Sequence, residues 1–152
     1  MAYREQLSVP WWWWPPAILA SGATAYTVSL AFRPFPYWIP ASVCAALAAL
    51  VLFLLSRSWV EVDDDGELRV GGAHIPLSVT SRCAVIGPKE KSAALGRQLD
   101  PAAFVWHHAW IPSLVLVVID DPEDPTPYWL FSSANPEKTV EAIERWQNNR
   151  QR

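Results

Sequence analysis

Charge is almost missing from the start of this chain: Arg4, Glu5, Arg33 and Arg57 are the only charged residues in the first 57 of 152. Such a stretch cannot form an ordinary solvated surface, so a composition of 18% charged and 51% hydrophobic residues averages two unlike segments. Cysteine is scarce as well. Cys44 and Cys83 fall one in each segment, which excludes a disulfide framework, leaves two free buried thiols and favours a reducing compartment for the second segment. Basic residues are outnumbered after residue 57, nine Lys and Arg against fourteen Asp and Glu, and an acidic surface excludes nucleic acid as a partner.

Known chemistry leaves no trace in the spacing. Gly71, Gly72 and Gly87 do not compose a phosphate loop, and Ser132 and Ser133 have no Gly-x-Ser-x-Gly setting. Glu61, Asp63 and Asp65 before Gly66 open like a calcium loop, but Gly72 stands where the bidentate Glu belongs. Asp120, Asp121, Glu123 and Asp124, broken by Pro122 and Pro125, read as a solvated loop, and Lys89, Lys91 and Arg97 as ordinary surface charge. The adjacent His107 and His108 point to opposite faces of an extended chain, and His74 completes no cluster with them. No enzyme, metal or cofactor is expected.

What the chain does contain is apolar length. Two runs, about 15–32 and 37–55, approach the 20 or so residues that cross 30 Å of hydrocarbon as a helix, with a turn of a few residues between them. The first, with Ser21, Gly22, Thr24, Thr27 and Ser29, reads as a helix packed closely on its neighbour; the second is rich in Leu and Ala. Four consecutive tryptophans and two prolines argue against a cleaved signal. Trp11, Trp12, Trp13 and Trp14 fit one membrane interface, and Tyr37 and Trp38 the other. The short turn returns the chain to its starting side, and Arg4, Arg57 and Arg69 against a lone Arg33 place both termini in the cytoplasm of a multi-pass protein of a bacterial plasma membrane.

Residues 58–152 read as a separate soluble domain. Trp59 to Val70 predicts a β-hairpin around Asp63-Asp64-Asp65-Gly66; Gly71-Gly72 predicts a second turn, and Ala73–Leu77 and Ser81–Ile86 further strands. Lys89–Leu99 can hold a short helix. The run Ile111 to Ile119 predicts a buried central strand, Tyr128–Phe131 a returning strand, and Asn135-Pro136 an N-cap and first turn for a helix through Trp146. Val140, Ile143 and Trp146 share that helix's apolar face. The expected fold is therefore a membrane α-helical hairpin plus a small α+β domain, an antiparallel sheet or partly open barrel with a C-terminal helix.

The stretches Val62–Val70, Ile75-Pro76-Leu77 and Tyr128–Trp146 give this domain an order that resembles pleckstrin-homology-like domains behind paired transmembrane helices in bacteria. Through Tyr3-Arg4-Glu5-Gln6-Leu7, the Trp run, Leu95-Gly96, Leu99-Asp100-Pro101, Asp121-Pro122 and Tyr128-Trp129-Leu130, the chain is similar to an actinobacterial membrane-protein family of unknown function (domain of unknown function 3093). That resemblance implies an architecture and a bacterial source but no activity. The expected function is a non-enzymatic, membrane-anchored accessory module that docks a larger membrane complex or self-associates, with Trp106, Trp110 and Tyr128 as partner contacts. Lipid recognition at the cytoplasmic surface is the alternative.

Overall fold

The computed structural model describes residues 3–152. In chain order the elements are β1 (Tyr3–Gln6), α1 (Trp14–Ala31), α2 (Trp38–Leu55), β2 (Trp59–Val62), β3 (Glu67–Val70), β4 (Ala73–Pro76), β5 (Thr80–Ile86), α3 (Pro88–Leu95), β6 (Phe104–Trp106), β7 (Leu114–Ile119), β8 (Tyr128–Ser132) and α4 (Pro136–Arg150). They divide into two units, Ser8–Ser58 and the rest of the chain.

In the first unit α1 and α2, each of 18 residues, run antiparallel within a residue or so of the expected spans. A single turn of 3-10 helix, Trp11–Trp13, precedes them. At the open end the Val9 amide donates to Ser56 Oγ (3.4 Å), and near the turn Tyr37 donates its hydroxyl to the Gly22 carbonyl (3.3 Å).

The second unit is a small α+β structure of two four-stranded sheets, ordered β1-β2-β3-β4 and β5-β7-β8-β6. Strict alternation turns Val60, Val62, Leu68, Val70 and Ile75 of the first sheet inward, where they meet Val115, Val117, Trp129 and Phe131 of the second and Ile143 of α4 in one core. Strand β7 lies between β5 and β8 and is covered on both faces, since Leu114 and Leu116 pack with Leu130 against Ala94 and Leu95 of α3. This is why its sequence is an unbroken apolar run. The Asp-Gly turn forms as expected: Gly66 has φ +85°, and the Trp146 ring lies so close that a Cβ there would meet it at 2.1 Å.

Three features depart from the sequence expectation. The N-terminal segment is not an appendage of the helices. It forms β1, paired antiparallel to β2 with Gln6 opposite Trp59, and buries Leu7 completely in the core, so the second unit does not begin at residue 58. Glu5 is buried on that strand, and a four-residue strand with an inward carboxylate has no recognisable alternation. Its Oε2 accepts the Tyr3 hydroxyl (3.0 Å) and the Asn135 amide (3.1 Å). Glu5 thus serves the N-terminus of α4, where Asn135 makes no side-chain cap of its own. Finally, β6 runs parallel to β8, with Phe104 opposite Trp129, in sheets otherwise antiparallel: the chain reverses from β6 into β7 but leaves the place between them for β8.

Candidate functional site

The helical unit exposes an apolar surface with no internal use. Among residues 14–31 only Ala25 is buried, and among 38–55 only Leu52. Ile18, Leu19 and Leu30 on α1 and Leu47, Leu50, Val51, Phe53 and Leu54 on α2 are all more than half exposed. Water does not tolerate a contiguous patch of this kind, and helices apolar all round belong in lipid or within a larger core. One helix among the described residues, Trp38–Leu55, is long and apolar enough to cross a membrane, and only 11% of it is buried.

Helix α1 has the same length but carries hydroxyls. Each Ser and Thr hydroxyl is satisfied inside its own helix: Ser21, Thr24 and Thr27 donate to the carbonyls of Ala17, Ala20 and Ala23, and Ser29 to that of Tyr26, at 2.7–3.0 Å. These bonds reduce the penalty for removing the hydroxyls from water. Of the expected interface aromatics, Trp11 (80%) and Trp38 (67%) are the most exposed, Trp12, Trp14 and Tyr37 less so, and Trp13 is half-buried against Trp12, 5.8 Å between rings.

The three aromatic residues expected at a partner surface are half-buried, and each has an internal role. Trp106 lies against Gly71, whose φ of +59° and missing Cβ admit the indole. Its ring meets His108 edge-on at 4.5 Å, and Trp110 stacks on the other side at 4.6 Å. His108 is therefore clamped between two indoles and nine-tenths buried, while His107 beside it is exposed, so the pair diverges as expected. The His108 amide donates to Ser132 Oγ (2.9 Å), and Lys91 reaches from α3 to the carbonyls of His108 and Ile111. Burial first, then His107, holds the His108 imidazole below its ordinary value. Tyr128 packs on the smaller apolar cluster, and its hydroxyl accepts the Asp100 amide at 2.9 Å.

The acidic groups are turn chemistry. Asp63 accepts the Asp64 amide, Asp121 that of Glu123 and Asp124 that of Thr126, and the described residues contain no group of three or more metal-ligating side chains. Cys83 is half-buried beside Glu144, and desolvation, with that carboxylate second, pushes its thiol up to about 11. What the sequence reading missed is the buried Glu5, whose Oε1 has no hydrogen-bond partner among the described residues, and the clamped His108, whose Nε2 has none among them either. Glu5 carries no local signal, because its role depends on Asn135 at the far end of the chain; the His108 contacts with Trp106 and Trp110 lie within one short segment, but its burial depends on the distant Ser132 and Lys91.

No curated protein and no solved structure matches this chain. A family model described as "Protein of unknown function (DUF3093)" matches residues 2–143, which is nearly the whole sequence. The chain belongs to that family.

Proposed function

We propose that the helical unit is a two-span membrane hairpin and that the α+β unit it carries is a non-catalytic interaction module, docking a larger membrane complex at the cytoplasmic surface. The observation that carries the reading is the apolar surface of α1 and α2, which is exposed all round and unmatched by any apolar face of similar extent elsewhere on the described chain. The internally bonded hydroxyls of α1 support it as the second span, and the tryptophans before α1 and at the start of α2 support interfacial anchoring at both ends. The strand-rich order closed by α4 supports a divergent pleckstrin-homology-like module, with β6 as its departure.

Alkaline extraction of membranes from the native host tests the anchor, and protease treatment of inside-out and right-side-out vesicles tests its sidedness. The chain is expected to stay in the pellet and to lose a C-terminal tag only in inside-out vesicles. Release into the supernatant would end the membrane reading; cleavage only in right-side-out vesicles would end the cytoplasmic one. For the docking role, a defined stoichiometric membrane-protein partner retained in mild detergent is the expected result, and a chain recovered only by itself, with no self-association, would overturn it.

A further inference from the structure

The outward face of the first sheet holds a polar concavity that no part of the fold uses. Because Val60, Leu68, Val70 and Ile75 point inward, Trp59, Glu67, Arg69 and His74 point outward, and the register places Arg69 directly opposite His74. These four side chains and the bare backbone of Gly71-Gly72 line a space of about 390 Å³. The Arg4 guanidinium lies 5.0 Å above the Trp59 ring. Arg69 donates through Nε and Nη2 to one oxygen of Glu67, at 3.1 and 2.8 Å. Its Nη1 and the other Glu67 oxygen keep no protein partner among the described residues.

The chemistry of this cleft is balanced. Glu67, with Glu61 directly across the strands from Arg69, disfavours a bare anion, and Arg69 disfavours a bare cation. A ligand carrying both charges a few atoms apart satisfies both, with Trp59 as an apolar and π-rich wall. A carboxylate oxygen suits a primary ammonium, which donates hydrogen bonds; a quaternary ammonium would want an aromatic cage, and there is one ring. Chain connectivity supplies the source. The chain leaves the sheet after β1 and re-enters it at Trp59, opposite Gln6, and the Gly71 amide bonds the Trp59 carbonyl, so the Gly71 turn and both connections share one sheet end. Only Ser56, Arg57 and Ser58 separate Trp59 from the end of α2, a tether of roughly 13 Å when extended.

We infer that this concavity binds the phosphoethanolamine headgroup of a membrane lipid, with the phosphate on Arg69 and His74 and the ammonium on Glu67 beside Trp59. The inference rests on the membrane-anchored reading for its source of ligand but not for its chemistry. The test uses the full chain in bilayer discs of mixed phosphatidylethanolamine, phosphatidylcholine and phosphatidylglycerol, with retained lipid read by native mass spectrometry. Phosphatidylethanolamine is expected to be enriched, and Arg69→Ala, Glu67→Ala and the exchanged pair Glu67→Arg/Arg69→Glu each to lower that enrichment by about tenfold. Because Arg69→Glu sets a second carboxylate opposite Glu61, an unchanged thermal midpoint for each variant controls for folding. Equal retention in all four proteins, or enrichment of phosphatidylglycerol instead, would overturn the inference.

Glycerophosphoethanolamine added in solution separates the sources. If alkaline washing releases the chain yet this soluble headgroup binds it in an Arg69-dependent way, the cleft chemistry stands and the anchor alone has failed. If the chain stays in the membrane and neither ligand depends on Arg69 or Glu67, the headgroup site alone has failed.

Discussion

Two single residues show how far local chemistry here depends on distant neighbours. Gly66 has a backbone that favours glycine, and its missing Cβ is also the seat of the Trp146 ring from the far end of the chain. Gly66→Ala should therefore combine left-handed strain with overpacking and lower stability by roughly 2–4 kcal/mol, read as a drop in the thermal midpoint of the purified full chain. A loss below about 1 kcal/mol would mean that the indole is not seated there. His108 makes a pH prediction. Its folded imidazole is held below the ordinary value of 6.5, so the folded state binds fewer protons than the unfolded state; its contribution is complete above that value and is lost as pH falls towards the folded value. His107 is lowered too, by burial and then Lys91, and acts in the same direction. The midpoint should fall between about pH 7 and about pH 5, and His108→Phe, which keeps the stack between Trp106 and Trp110, should flatten that fall. An unchanged slope would show that other groups carry the acid sensitivity.

Among the elements, α2 offers the sharpest discrimination. Leu47 is 56% exposed near the middle of the helix, so Leu47→Arg would be nearly neutral if water surrounded it. In a bilayer the same change costs about 2.5–3.5 kcal/mol of insertion. The expected result is a large fall in the membrane-integrated fraction after alkaline washing, with Ser78→Arg on the exposed surface of the α+β unit as the neutral control. Much of this element level was legible in advance. The bounds of both long helices, the Asp-Gly hairpin, the central β7 and the final helix follow from apolar runs, turn residues and a 3.6-residue stripe, all local signals. Strand β1 was not legible, because Tyr3–Gln6 is short, ends next to the tryptophans, and is a strand only by pairing with residues beyond position 58. The parallel place of β6 was hidden for the same reason, since pairing partners are not written in a three-residue strand.

At the scale of the whole molecule, the helical hairpin is an insertion into a β-hairpin: β1 and β2 are adjacent antiparallel strands, and Ser8–Ser58 occupies the position of their turn. Excising residues 8–57 and joining Leu7 to Ser58, the next positions in the β1–β2 register, through a two-residue Asn-Gly turn should yield a well-expressed, cooperatively folding α+β protein. The simpler truncation to residues 58–152 removes Leu7 and Glu5 from the core and leaves β2 as an open edge, and it should be less stable by several kcal/mol or aggregate. Chemical denaturation and size-exclusion chromatography of the two proteins decide the matter. If residues 58–152 proved as stable as the excised form, β1 would not be integral to the sheet.

The sequence by itself determined that this chain has a charge-poor helical part and an acidic strand-rich part, because composition and periodicity are properties of contiguous residues. It determined too that the acidic runs are turns, since the spacing of Asp, Pro and Gly dictates local backbone bonds. Only the tertiary structure decided that the first few residues belong to the far sheet, that Glu5 accepts the backbone amide of the Asn135 N-cap of the last helix, and that Trp59, Glu67, Arg69 and His74 share one cleft. Each of these joins residues across a strand register or between sheet and helix, and a register is fixed by the burial of a whole face at once, which no short window of sequence contains.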